Sequence, residues 1–282
     1  MDFLAGEVLV IDKPLKWTSF DVVNKVRLML KQVMGIKKIK VGHAGTLDPL
    51  ATGVVVLCTG KATKQIEQLM DHDKEYTATI RLGATTPCFD LEKEIDATYP
   101  YEHITREMVD TVLREQFTGD IMQVPPIFSA ISINGKRAYE LARKGASEEE
   151  SGLKPRQVTI ESIEVQQFNL PYVEVKIKCS KGTYIRSIAR DLGYALQSGG
   201  HLVSLRRTRV GDFKVEDALN MEQVKALLEV EAQRQAKEEN NLEKLLLINE
   251  ELSELGIDIN SQNKKKEKKS KNKSIPRKVE SR

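Results

Sequence analysis

Apolar positions along the chain follow two periods, and the switches between them mark out the elements. Val8, Leu9, Val10 and Ile11 form an unbroken apolar run ending at Asp12-Lys13-Pro14, as a buried strand ends where proline cannot donate to the ladder. Val22, Val23, Val26, Met29, Leu30 and Val33 then recur at about 3.6 residues. Thr18 or Ser19 is placed to cap that helix and Gly35 to close it. Residues 54–57 read as a strand and 62–70 as a short helix. From Tyr76 the pattern alternates, with Tyr76, Ala78 and Ile80 on one face and Thr77, Thr79 and Arg81 on the other, which predicts a half-buried strand.

Thr105 and Glu107 open an amphipathic helix through Met108, Val109, Val112 and Leu113 that ends near Gly119. Residues 125–152 differ in kind, with two prolines, Asn134-Gly135, four basic residues and the run Glu148-Glu149-Glu150. They read as an inserted hairpin with a helical piece. Residues 158–168 and 172–179 predict paired strands turned at 169–171, since Val173, Val175 and Ile177 alternate with Glu174, Lys176 and Lys178. A helix over 184–197, a strand over 202–210 and a charged helix over 224–247 follow. Trp17, the single tryptophan, reads as an apolar anchor beside the first helix.

The net charge of +3 conceals three regions. Residues 264–282 hold ten Lys/Arg against two acids, residues 229–263 hold three against nine, and the first 228 are left with a net charge of +1. Binding to a polyanion must therefore come from local basic surface. Residues 1–228 read as the main domain, 229–263 as a helical extension and 264–282 as a disordered tail that has too few apolar residues to order itself. That tail fits either a phosphate contact or a solvated end. No apolar run reaches the length of a membrane span and no secretory leader is visible, which points to a soluble cytoplasmic protein. Cys58, Cys88 and Cys179 are odd in number and widely spaced, so neither disulfides nor a zinc site is expected.

Two basic stretches carry the candidate chemistry. Between Lys31 and Lys64 there are six basic residues and a single acid, Asp48. Asp48 lies in the segment Val41-Gly42-His43-Ala44-Gly45-Thr46-Leu47-Asp48-Pro49-Leu50-Ala51-Thr52-Gly53. A lone carboxylate in a glycine-rich cationic loop suits work on a polyanion, while Asp-Pro alone also fits a plain turn. The second stretch, residues 180–214, holds seven basic residues and two acids. Gly53 to Gly60-Lys61 is no nucleotide-phosphate loop: six residues intervene instead of four, and Ala62 stands where Ser or Thr belongs.

The whole segment 41–53 resembles the signature loop of the bacterial tRNA pseudouridine-55 synthases of the TruB type. Three further stretches are similar to that family in the same order. They are Asp73-Lys74-Glu75-Tyr76 running into Arg81-Leu82-Gly83, then Pro125-Pro126 with Ser129-Ala130 through Arg143, then Cys179-Ser180-Lys181-Gly182-Thr183-Tyr184-Ile185-Arg186. The resemblance implies an α+β fold with a mixed, mostly antiparallel sheet flanked by helices, the insertion closing over RNA. It implies conversion of uridine 55 in the tRNA T-loop to pseudouridine. The family's frequent C-terminal PUA domain is not recognisable here. The alternative is a tRNA-binding or tRNA-folding protein that keeps the fold without the chemistry.

By the same resemblance, Asp48 is the carboxylate that acts on the sugar or base, Arg186 its guanidinium partner and Tyr76 the aromatic residue against the uracil. Tyr76 would also serve as an ordinary strand-opening residue. His43 matches a wedge filling the space of the flipped base, and Leu205 an apolar wall of the uracil pocket. Lys13, Lys61, Lys181, Tyr184, Arg206 and Arg207 are candidate RNA contacts. Ser132 replaces a lysine common in relatives. The isomerisation is redox-neutral and needs no metal or organic cofactor, and a monomer acting on the T-arm of tRNA is expected, without a membrane.

Overall fold

The first strand, β1 (Val8–Lys13), buries every second residue, and the alternation through Leu9 and Ile11 carries Lys13 onto the inward face as well. In the computed structural model, which describes residues 1–129, 131–133, 135–138 and 152–254, helix α1 (Ser19–Val33) follows. Thr18 and Asp21 close a capping box at its start, with Asp21 N donating to Thr18 Oγ1 at 3.0 Å and Thr18 N to Asp21 Oδ2 at 2.8 Å. Such a cap is worth about 1 kcal/mol. Its apolar stripe, Val22, Val26 and Leu30, is fully buried, each side chain contributing roughly 1.5–3 kcal/mol relative to exposure.

Strands β2 (Val41–His43) and β3 (Ala51–Thr59) come next, and β3 is buried on both faces except at Thr52, as a central strand must be. The expected helix over 62–70 is instead a 3-10 turn (Gly60–Gln65) followed by α2 (Ile66–Met70). Neither piece has a side-chain N-cap bond, so the costly first turn gains no help. After β4 (Lys74–Leu82), β5 (Ala84–Thr85) and β6 (Ala97–Thr98) form a small ribbon. Helix α3 (Arg106–Gln116), capped by Thr105, precedes β7 (Gly119–Gln123).

Strands β8 (Ser132–Ile133) and β9 (Lys136–Arg137) pair around Gly135, giving the expected hairpin its backbone. The helical piece expected after it falls on residues 139–151, outside the described residues. Strands β10 (Arg156–Asn169) and β11 (Tyr172–Cys179), helix α4 (Ile185–Ala195), strands β12 (Gly200–Val210) and β13 (Phe213–Lys214), and helix α5 (Met221–Glu254) follow among the described residues.

The main sheet runs β1-β3-β12-β4-β11-β10-β7, with β2 added to β3 and β13 to β12. Every pairing is antiparallel except β3 with β12. The fold is thus α+β with a mixed, mostly antiparallel sheet. Helix α1 packs against β2, α3 against β10 and α4 against β12. The parallel pair matters most for function, because it sets Arg207 opposite Gly53 and so joins the two basic stretches.

By its contacts the chain divides into two units, Met1–Ala226 and Leu227–Arg282. Most of α5 lies in the second unit, where Leu242 and residues 245–248 are exposed. The Lys-rich tail, 264–282, is outside the described residues. No helix among those described is long and apolar enough to cross a membrane.

Candidate active site

Strands β2 and β3 hold the two ends of a loop that the structure braces from below at four points. Ser19, the first residue of α1, accepts from Leu47 N at 2.8 Å and donates to Leu47 O at 3.2 Å. Lys13 Nζ donates to Pro49 O at 3.3 Å, and to Trp17 O and Pro14 O at 2.6 and 3.0 Å. Lys16 N donates to Pro49 O at 2.8 Å. Arg207, only 1% exposed, donates through Nε to Val54 O (2.7 Å), through Nη1 to Thr46 O (3.3 Å) and through Nη2 to Gly45 O (3.1 Å). Gly53 permits this approach: its φ is +105°, and a Cβ there would sit 2.1 Å from Arg207 O.

Asp48 stands at the top of that loop. Arg186, at the start of α4, meets it with two bonds, Nε to Oδ2 at 2.9 Å and Nη2 to Oδ1 at 3.3 Å, the fork geometry that fixes a carboxylate in orientation. The arginine side chain is 6% exposed and the aspartate 36%, so the guanidinium is wall and the carboxylate faces outward. Two carbonyls complete the arginine's shell, Cys88 O at 3.3 Å and Phe128 O at 2.9 Å. Asp90 Oδ2 lies 3.8 Å from Nε. Burial opposes charge on Arg186, but the Asp48 and Asp90 carboxylates outweigh it and raise its pKa above the ordinary arginine value.

Asp48, Asp90 and Arg186 share a pocket with Leu50, Ala51, Leu91, Leu202, Val203, Ser204 and Leu205. Its free volume of about 20 Å³ is room for one water. Tyr76 lies on β4 in register with Arg207. Burial, more than any neighbour, raises its pKa, so its hydroxyl stays protonated at neutral pH. His43 is half-buried, and its pKa is lowered by burial first and by Arg207 second, leaving a neutral ring at pH 7. A larger groove of about 440 Å³ lies between α3 and the end of α4, lined by His103, Glu107, Met108 and Leu196, away from Asp48.

The remaining expected RNA contacts fall into two sets. Lys13 and Arg207, expected at phosphates, are corrected by the structure. Both are buried with their donors engaged by loop carbonyls, and burial pushes Lys13 down to about 8. They position the Asp48 loop from beneath. Lys61 is exposed, and so is Lys181, paired with Asp71 at 2.6 Å. Arg206 is partly exposed and grips Asp12 at 2.8 and 3.1 Å. Leu205 lines the pocket. Tyr184 caps α4, its backbone N–H and C=O both bonded to the Gln123 amide.

Asp90 escaped sequence reasoning. It sits in a run of acids, Asp90, Glu92, Glu94 and Asp96, where nothing marks one as buried. Phe128 and Cys88 act through backbone carbonyls, which carry no side-chain signal at all.

Among solved structures, the chain is similar to one chain of a Cbf5-Nop10-Gar1 complex, at a TM-score of 0.57 and 30% identity, covering 78% of this chain and 53% of that one. It is also similar to a chain of an H/ACA RNP bound to a substrate RNA containing 2′-deoxyuridine, at a TM-score of 0.54 and 28% identity over 78% and 52% of the two. Residues 31–185 match the N-terminal domain of TruB family pseudouridylate synthases. Residues 186–252 match the C-terminal domain of tRNA pseudouridylate synthase B. Matched domains and fold together place this architecture in the class of pseudouridylate synthases.

Curated relatives narrow the class. A tRNA pseudouridine synthase B of Phocaeicola vulgatus is 62% identical over 79% of this chain and 93% of its own. The protein of the same name from Parabacteroides distasonis is 56% identical over 81% and 96%, and that of Clostridium kluyveri 45% identical over 76% and 71%. The chain belongs to the TruB family.

Proposed function

We propose that the chain converts uridine 55 of the tRNA T-loop to pseudouridine, with Asp48 as the group that acts on the flipped nucleotide. The observation that carries this reading is the two-bond grip of buried Arg186 on a half-exposed Asp48 at the mouth of an apolar-walled pocket. The reaction breaks the C1′–N1 bond, turns the uracil and joins C1′ to C5. Substrate and product have the same atoms and oxidation level, with the C5 hydrogen passing to the medium and N1 gaining one.

A carboxylate serves this sequence either by attacking C1′ or by removing the C2′ proton. Both require Asp48 to be aimed at the sugar, and the Arg186 fork fixes that orientation. Tyr76, buried and protonated, offers a ring face to the uracil and a proton donor. Extruding the base from its stack costs a few kcal/mol, and the neutral His43 ring is suited to fill the space left behind. Exposed Lys61 and Lys181 and partly exposed Arg206 supply phosphate contacts that hold the RNA in register. The enzyme works as a monomer in the cytoplasm, where its substrate is found.

The test is a T-arm transcript incubated with the protein, treated with carbodiimide and read by primer extension. A stop one base before the T-loop uridine, absent when that uridine is replaced by cytidine, supports the reading. No stop on the uridine transcript overturns it.

A further inference from the structure

His201, at the start of β12, is fully buried, and its two ring nitrogens have different surroundings. Nδ1 lies 2.9 Å from the carbonyl oxygen of Ala84. A carbonyl only accepts, so Nδ1 carries the hydrogen and Nε2 is left as an acceptor. Nε2 is buried and has no hydrogen-bond partner among the described residues. The residue in register with His201 on β4 is Arg81, whose Nε is a buried donor likewise without a partner. Burial, and then the charge of Arg81, lowers the pKa of the ring, against the pull of Asp90 and Asp96.

From this ring a series of contacts leads to the site. Residues 84–90 follow β4, and β12 grips them at both ends: His201 through Ala84 O, and Leu202 N through Phe89 O at 2.9 Å. Phe89 sits at φ +59°, a conformation that a side-chain-bearing residue keeps only when its surroundings hold it. Thr86 Oγ1 donates to Asp90 O at 2.7 Å. Held in this way, the segment presents Cys88 O and the Asp90 carboxylate to Arg186, which in turn orients Asp48.

We propose that His201 is a positioning residue for pseudouridine formation, anchoring residues 84–90 so that Cys88 and Asp90 lock Arg186 onto Asp48. The proposal rests on the reading that Asp48 acts at the uridine. Its test uses the full chain in single-turnover reactions on the T-arm transcript, with RNA affinity measured in parallel. His201→Asn keeps an N–H near the place of Nδ1, His201→Gln moves it towards Nε2, and His201→Leu removes it.

The expected result for His201→Leu is a rate about tenfold lower with RNA affinity within about twofold of wild type. His201→Asn recovers most of the rate and His201→Gln does not. In an Asp90→Asn background, His201→Leu costs less than about twofold more, because both changes act through one segment. Equal losses in the two backgrounds, or equal rates for the Asn and Gln variants, overturn the proposal. If His201→Leu does not fold, the contrast of Asn with Gln decides alone. Absence of pseudouridine with the wild-type chain would overturn the reading of the site instead.

Discussion

Beneath the Asp48 loop, Lys13 and Arg207 are buried and donate to six carbonyl oxygens; at the rim, Lys61 and Lys181 are exposed and Arg206 is partly so. Sequence counts all five as basic residues of an RNA-binding protein. The buried pair faces groups that carry no net charge, and its work is to fix a backbone. The outer three meet carboxylates or solvent. Arg186 belongs to neither set: it is buried like Arg207, but its principal partner is the carboxylate of Asp48, so it orients a side chain rather than a chain conformation.

That division makes distinct predictions. The largest effect is expected at Arg186. Arg186→Lys keeps the charge but loses the fork and the bonds to Cys88 O and Phe128 O, and single-turnover rate falls roughly 10²–10³-fold while RNA affinity holds. A loss of affinity with normal rate would move Arg186 to the rim set. Arg207→Met should leave the carbonyls of Gly45, Thr46 and Val54 without donors and lower unfolding free energy by about 3–4 kcal/mol in urea titrations. If the salt dependence of RNA binding drops instead, the buried and exposed sets have been wrongly divided.

Smaller effects mark the rim. Lys61→Ala and Lys181→Ala should each weaken RNA binding several-fold and reduce the slope of log K against log salt by about 1, without change in melting temperature. The smallest effect concerns pH. His43 and His201 both have lowered pKa values in the fold, so the unfolded chain takes up their protons first. Their contribution to stability is full above the unfolded value, near 6.5, and is lost as pH falls through the folded values. Thermal melts between about pH 5 and 7.5 should show the decline, and His201→Asn should flatten it.

Legibility in the sequence followed from how local each signal is. An N-cap at Thr18 or Ser19, the alternation over Tyr76 to Leu82 and the apolar stripe of α1 are local patterns, and the structure reproduces them, with Thr18 as the cap. Asp48 drew notice as the one acid among six cations, but Asp-Pro alone also fitted a turn, and its expected role came from the resemblance to the TruB family. The inward turn of Lys13 was visible in principle, since it continues the alternation of Leu9 and Ile11, but its charge argued the other way. Arg207 and Asp90 were not legible. The arginine that faces the Asp90 carboxylate and the carbonyls that hold Arg207 lie more than 90 positions away, joined by the parallel pairing of β3 with β12 and by the approach of α4 to the segment 84–90. The weak helix over 62–70 shows the converse, a local pattern without caps to sustain it.

The most direct test of the central claim compares wild-type chain with Asp48→Asn on the same T-arm transcript, reading pseudouridine by carbodiimide-probed primer extension and RNA affinity by filter binding. Asparagine keeps the size of the side chain and its place beside Arg186 but cannot attack C1′ or take a proton. The account predicts normal binding and no stop at the T-loop uridine. A stop with the variant, at any rate near that of the wild type, would contradict it.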